Sequence, residues 1–336
     1  MDPLVTLLLS DGRPGHSNLS EGICAAIARR RPLDIVRIDV RRPRWIPARI
    51  LSAMTNAGGR FAQPVASLTG IPNWIQDCEL IVSAGGDTLA ASVSLAKTHR
   101  CPNIFYGSLR RYRPADFALV LTSYAANATR PNHAMALKPS AFDPDTMPVR
   151  SRGADSRPMI GLLIGGDSGT VRFSADDWRQ LSALLVAVAA NGQRVIVSNS
   201  RRTPASVSDS VGQLATSSGG AVSFIDVRQA GNGTLASLFA ASDQVAVTVD
   251  SSSMISEAVW ARKPVVVLEP QIAQLPDLEQ GYRAYLTNGG WITTLPLAAA
   301  TPMALESQFR AASPLKTNPL DDLAALLQAR LPALFK

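Results

Sequence analysis

The feature that most constrains this chain is a rhythm that runs twice: short apolar runs alternate with segments of helical periodicity. Residues 4–9, 35–40, 80–83, 103–106 and 117–121 read as strands, and 18–30, 49–57 and 88–98 as helices. Strands that are apolar along their length, and separated by helices of about ten residues, belong to a parallel sheet covered on both faces. From Pro139 to Pro158 the pattern gives way to polar, proline-rich sequence, the composition of a linker. It then resumes, with strands over 159–164, 194–198, 222–226, 244–249 and 265–268 and helices over 175–191, 205–216, 234–241 and 253–261. A last stretch, 321–331, has apolar residues at helical spacing. The expected organisation is an α/β domain over 1–145, a linker over 146–158, a second α/β domain over 159–312 and a closing helical segment over 313–336.

Composition agrees with two cores. At 336 residues the chain can bury both without covalent staples, and 46% hydrophobic against 18% charged residues excludes a disordered chain. No apolar stretch approaches the roughly 20 residues that span a bilayer. Met-Asp-Pro followed by one short apolar run has neither the basic start nor the cleavage site of a signal peptide, so a cytoplasmic protein is expected. The net charge of +7 points to an anionic partner: phosphate groups, a nucleotide or an anionic membrane face. Cys24, Cys78 and Cys101 have no paired spacing and there are only 3 histidines, so neither a disulfide framework nor a metal site is indicated.

Ligands of open α/β sheets bind beyond the carboxyl ends of the strands, so the loops there carry the functional argument. After the first strand come Asp11, Gly12, Arg13, Gly15 and His16; the glycines allow close backbone approach, and His16 is either a base or a helix cap. It is not a G-x-G-x-x-G dinucleotide fingerprint. Gly85-Gly86-Asp87 follows the third strand, with Asp87 either a cap or a substrate contact. Gly165-Gly166-Asp167-Ser168 opens the second half, and its main-chain amides could face a diphosphate. Ser200-Arg201-Arg202-Thr203 offers two guanidiniums among hydroxyls, either a phosphate clamp or a solvated turn. Asp250-Ser251-Ser252-Ser253-Met254 leads into a helix carrying Glu257, which is suited to accept both hydroxyls of a ribose; an ordinary capped helix start reads the same way.

These segments resemble a known group. Residues 235–270 look like the donor-binding half of GT-B glycosyltransferases, among them the bacterial enzyme that adds N-acetylglucosamine to the lipid-linked peptidoglycan precursor, although Asp250-Ser251-Ser252 stands where that enzyme has Ser-Gly. Gly165 to Gly169 resembles the glycine loop of that half, and Gly12 to His16 the Gly-x-x-Gly-His turn of the acceptor half. The motifs S-D-G-R-P-G-H, I-G-G-D-S, S-R-R-T-P and D-S-S-S-M-I-S-E are similar, in the same order, to those of the plant mitochondrial fission factor family named for elongated mitochondria, whose bacterial members are predicted glycosyltransferases.

The resemblance implies a GT-B fold, two Rossmann-like α/β domains whose parallel sheets face each other across a cleft. It implies a hexosyltransferase using a UDP- or GDP-type sugar donor, with no metal and no further cofactor. The donor would meet Gly165, Gly166, Asp167, Ser168, Ser200, Arg201, Arg202, Thr203, Asp250, Ser251, Ser252, Ser253, Met254 and Glu257. Gly12, Arg13, Gly15, Gly85, Gly86 and Asp87 would lie on the acceptor side. His16, or Asp11 as second choice, would deprotonate the acceptor hydroxyl for an inverting displacement. The acceptor would be a cell-envelope glycan or lipid-linked molecule, with no nucleic acid as partner. Arg29 to Arg31, Arg41, Arg42, Arg110 and Arg111 are left to face an anionic acceptor, the inner membrane peripherally, or water. The rival readings are an NAD-dependent sugar-nucleotide epimerase or dehydrogenase, and a non-catalytic adaptor on a membrane surface.

Overall fold

Strand order fixes where each half of the molecule can bind anything. The computed structural model describes residues 2–72, 78–148, 157–230 and 234–336, and the chain divides into two units, Met1–Phe142 with Pro319–Lys336, and Asp143–Asn318.

The first unit runs β1 (Leu4–Ser10), α1 (Pro14–Ala28), β2 (Leu33–Asp39), α2 (Ala48–Ala57), α3 (Ala62–Leu68), β3 (Leu80–Ala84), α4 (Leu89–His99), β4 (Asn103–Tyr106), β5 (Leu119–Thr122) and β6 (His133–Met135). All six strands are parallel, in the order β2-β1-β3-β4-β5-β6. Leu7 and Leu9 on β1, Ile81 on β3 and Leu95 on α4 pack in one buried cluster, as expected where helices cover the sheet. β2 carries Asp34, Arg37 and Asp39, all exposed, which suits a sheet edge and blunts it against further pairing.

The second unit runs β7 (Met159–Leu163), β8 (Val171–Arg172), α5 (Ala175–Ala190), β9 (Arg194–Ser198), α6 (Ala205–Ser217), β10 (Val222–Ile225), α7 (Val227–Ala230), α8 (Thr234–Ala241), β11 (Gln244–Thr248), α9 (Ser252–Trp260), β12 (Val265–Glu269), β13 (Ile272–Ala273), α10 (Asp277–Asn288), β14 (Ile292–Pro296) and α11 (Pro302–Ala311). Its main sheet is parallel, in the Rossmann order β10-β9-β7-β11-β12-β14, while β8 and β13 form a small antiparallel ladder. Ser174 caps α5 and Asp177 returns the bond, the reciprocal capping box that its sequence spells. In β7, a side chain at Gly161 would sit 2.6 Å from Ser242 Oγ and 2.7 Å from Leu238, so only glycine lets α8 pack this close.

The last helix, α12 (Pro319–Arg330), belongs to the first unit, where it packs on α1. Arg29 Nε donates to Asp321 Oδ1 at 2.7 Å and Arg31 Nη1 to the Leu334 carbonyl at 3.0 Å. Two of the arginines left to a membrane, an acceptor or water therefore fasten the C-terminal segment instead. Residues 143–145, assigned above to the N-terminal domain, lie in the second unit: Asn318 Nδ2 donates to Asp143 and Asp145, and Arg262 pairs with Asp145 at 2.6 Å. Within the expected linker, residues 149–156 lie outside the described part of the chain. No helix among the described residues is long and apolar enough to cross a membrane.

In an open parallel sheet the strand order reverses at one place, and the loops leaving the two strands there part to opposite faces and open a crevice. The first sheet reverses between β1 and β3, the second between β7 and β11. Those two points carry the motifs singled out from the sequence.

Candidate functional site

In the first unit, Gly12 takes a left-handed φ of +75° that turns the chain off β1 so that Pro14 starts α1. The helix begins four residues earlier than its periodicity suggested, so His16 lies in its first turn. His16 Nδ1 is 2.8 Å from Asp11 Oδ2. A carboxylate only accepts, so Nδ1 carries the proton, and in the neutral form of the ring Nε2 is the acceptor. The Asp11 side chain is 3% exposed and the His16 side chain 30%. Asp11 is thus enclosed and orients the ring, which leaves His16 as the group that can meet a hydroxyl.

The glycines after β3 form a floor for side chains. A Cβ on Gly85 would lie 2.2 Å from His16 Nδ1, and one on Gly86 would lie 2.4 Å from Arg110 Cζ. Asp87 Oδ1 is 3.3 Å from Arg42 Nε, and its Oδ2 is 3.5 Å from Arg13 Nη2. Asp87 therefore pairs with arginines rather than capping α4, whose N-cap residue Thr88 makes no side-chain cap bond and donates its hydroxyl back to the Gly85 carbonyl at 2.9 Å. Burial pushes the Tyr112 hydroxyl up to about 12, against the opposing pull of Arg42 and Arg110. Gly15 sits in open space within α1.

In the second unit, the buried carboxylate of Asp250 is the organising group. Its Oδ2 accepts from the Gly166 amide at 3.1 Å and pairs with Arg202 Nη2, while its Oδ1 accepts from Thr248 Oγ1 at 2.7 Å. The Gly165 amide donates to Thr248 Oγ1 at 2.8 Å. The amides expected to cradle a diphosphate are therefore engaged within the protein, because the β11 end supplies a carboxylate to receive them. A side chain at Gly165 would collide with Asp250, and one at Gly166 would lie 2.2 Å from the Arg202 carbonyl oxygen. Thr203 ties the arginine loop to β7, its hydroxyl donating toward the Gly165 carbonyl at 2.6 Å and receiving the Ser200 amide at 2.8 Å.

Asp167 and Ser168 are not drawn into this cluster. Asp167 is exposed and accepts the Phe173 amide at 2.9 Å, and Ser168 pairs with Val171, so both shape the hairpin leading to β8. Ser251 caps α9, its hydroxyl accepting the Met254 amide, with Ser252 and Ser253 in the first turn and Glu257 half-buried further along. Guanidinium groups and a helix start thus face the strand ends, with Arg201 exposed and Arg202 held.

Three supporting residues escaped the sequence reading. Arg283 on α10 donates to the Val249 carbonyl at 3.1 Å, bracing the turn before Asp250. Asn199 donates to Ser208 and to Asp226, both at 3.0 Å, and accepts the Val227 amide. Arg228 grips Asp226 in a fork and holds that carboxyl well below the usual carboxylate range. Beside them an open depression of about 770 Å³ is lined by Ser208, Gly212, Phe224, Asp226 and Arg228. Among the described residues, no three His, Cys, Asp or Glu side chains gather where they could hold a metal ion.

This geometry matches known proteins in two ways. The family described as "Mitochondrial fission ELM1" matches residues 14–326. Among solved structures, S. aureus MnaA with UDP superposes with a TM-score of 0.56 at 10% identity, covering 100% of this chain and 98% of that one. The kitacinnamycin glycosyltransferase gives 0.54 at 12% identity, with 100% and 96% covered, and SnogD from Streptomyces nogalater, also a glycosyltransferase, gives 0.51 at 14%, with 99% and 96% covered. At such identities the likeness is one of fold: two Rossmann-like α/β units, the GT-B architecture. No curated protein matches the chain in sequence.

Proposed function

Because the chain belongs to the mitochondrial fission ELM1 family, we propose that it is a glycosyltransferase, moving a hexosyl group from a nucleoside diphosphate sugar to a cell-envelope glycan or lipid-linked acceptor. The observation that carries this reading is the convergence of Arg202, Thr203 and the start of α9 on the switch point of the second sheet. There, guanidinium groups and helix-end amides can neutralise a diphosphate without a metal ion. Glu257, half-buried within α9, is assigned to the ribose hydroxyls, and the depression beside Asn199 and Asp226 has the volume of a small-ligand site.

In the first unit, His16 Nε2 takes the proton of the acceptor hydroxyl as its oxygen bonds to the anomeric carbon. The bond from that carbon to the diphosphate breaks, and its electrons leave with the nucleoside diphosphate. Asp11 holds the ring in the required tautomer and stabilises the imidazolium that results. A single displacement of this kind inverts the anomeric centre.

Contact with an anionic membrane face, at the cytoplasmic side, is supported by a separate patch. Trp45 is 75% exposed and Ile50 49% exposed at the start of α2, with Arg41, Arg44 and Arg49 exposed around them.

Thermal melting of the full chain with a panel of nucleoside diphosphates tests the donor assignment. UDP or GDP in excess should raise the Tm by several degrees, and Arg202→Ala and Glu257→Ala should remove the rise. If no nucleotide shifts the transition, the transferase reading fails in favour of a membrane-surface adaptor. NAD-dependent conversion of a sugar nucleotide without acceptor would favour an epimerase or dehydrogenase.

A further inference from the structure

Four strand ends of the first unit contribute to one positively charged surface. Arg13 follows β1, Arg42 follows β2, Gly85 to Asp87 follow β3 and Arg110 follows β4. Arg13 and Arg42 both reach Asp87, and the Arg110 guanidinium lies flat against Gly86, where any side chain would collide with it. The His16 ring lies in the same way over Gly85, the adjacent residue. A proton acceptor and a guanidinium are thus seated side by side on two neighbouring glycines.

The charges do not cancel. Asp11 is enclosed by its bond to His16 and lies 3.9 Å from Arg13 Nε, so three guanidiniums are set against two carboxylates, of which Asp87, with its side chain 29% exposed, is the accessible one. Arg13 and Arg42 remain 65% and 38% exposed, and Arg110 is exposed as well, so water and small anions reach them. Planar guanidiniums gathered about Asp87 and Gly86 are a donor set for phosphate oxygens, and three of them against the two carboxylates Asp11 and Asp87 leave a positive surplus for an anion.

We propose that Arg13, Arg42 and Arg110 form a phosphate site, with Asp87 standing in for the ligand when it is absent, and that the acceptor carries a phosphate or diphosphate close to the hydroxyl facing His16. This rests on the transferase reading for the word acceptor; the phosphate site itself does not. The phosphate can belong to a soluble ester or to a lipid headgroup, and the three guanidiniums meet the same oxygens in either case.

Calorimetric titration of the full chain with inorganic pyrophosphate tests the site, in an Arg202→Ala background so that the second unit contributes least. Arg42→Ala and Arg110→Ala should each weaken binding about tenfold or more, the loss expected for a charge-assisted contact. Asp87→Asn should tighten it, because the competing carboxylate is gone. Unchanged affinity in either arginine variant, with a native melting profile, overturns the site, as does weaker binding in Asp87→Asn. UDP or GDP binding with Arg202 intact, in an Arg42→Ala/Arg110→Ala background, reports on the donor assignment alone, so the two can fail separately.

Flotation with phosphatidylcholine vesicles, with and without phosphatidic acid, identifies the source. Capture that requires phosphatidic acid and is lost in Arg42→Ala supports the site with a lipid-borne phosphate. Pyrophosphate binding that depends on the arginines, without vesicle capture, supports it with a soluble ester.

Discussion

The two switch points use glycine pairs for opposite purposes. After β7, the amides of Gly165 and Gly166 turn inward to Thr248 and to a carboxylate that is 0% exposed, so the loop is locked by its own hydrogen bonds. After β3, Gly85 and Gly86 make room for the His16 ring and the Arg110 guanidinium, and the polar groups above them stay open to solvent. The first arrangement fixes a backbone; the second displays side chains. Chemistry that moves a proton suits displayed side chains, and recognition of a constant diphosphate suits a fixed loop.

The largest effect should come from removing the lock. Asp250→Ala leaves the Gly166 amide, Thr248 and Arg202 without their common acceptor, and loss of one partner from a buried charged network costs about 3 kcal/mol. Urea denaturation should show that loss, together with lost nucleotide binding. A change below about 1 kcal/mol would mean that the loop is not locked by Asp250.

Asp11→Asn should act in the opposite manner, on rate with little effect on stability. Its amide would no longer fix the tautomer and could not stabilise the imidazolium, so transfer should fall about 100-fold or more while the denaturation midpoint moves little. Comparable loss of rate and of fold would erase the distinction drawn between the two switch points.

The glycines sharpen it further. Alanine at 166 would meet the Arg202 carbonyl, which is backbone and cannot swing away, so a destabilisation of about 2–3 kcal/mol is expected. Alanine at 85 would carry a φ of +89° and push aside the His16 ring, a side chain that can move. Gly85→Ala should therefore cost less stability, about 1–2 kcal/mol, and more rate. Reversal of that order in paired denaturation and turnover measurements would break the comparison.

Much of this fold was legible because both sheets are parallel and buried. The apolar run over 4–9 and the strand found at Leu4–Ser10 differ by one residue, since all of its residues but Val5 are buried. What failed was local and polar. α10 reads D-L-E-Q-G-Y-R-A-Y-L-T-N, with too few apolar residues to announce itself, yet Tyr282 and Leu286 bury its inner face and Arg283 braces the Asp250 turn. Residues 269–320 are therefore left without elements in the sequence reading, although α10, β14 and α11 occupy them. Helical spacing in α12 showed that it packs but not against what; the answer, α1, lies some 300 residues away in sequence. The site was legible as loops at strand ends, because that follows from topology. The pairing of Arg202 with Asp250, and of Arg110 with Gly86, was not, because spacing says nothing about which loops meet.

The smallest effects, those of pH, carry the contrast to the surroundings of the two sites. In the first unit Asp321 is held below its ordinary value of 3.8 by the Arg29 guanidinium, so its contribution is complete above pH 3.8 and is lost as pH falls through the lower folded value. In the second unit burial raises Glu269 above its ordinary 4.5, with Arg283 opposing, so its contribution has the opposite sign. It is fully present below pH 4.5 and is lost as pH rises through the higher folded value. Stability measured against pH should therefore flatten at its acid end in Arg29→Ala, by less than about 1 kcal/mol because the pair is largely exposed. Glu269→Gln should instead remove a decline that begins above pH 4.5 and leave the molecule more stable at neutral pH. If Glu269→Gln destabilises the protein at neutral pH, the charged form is the favoured one, and Arg283 then braces the Asp250 turn as part of an ion pair.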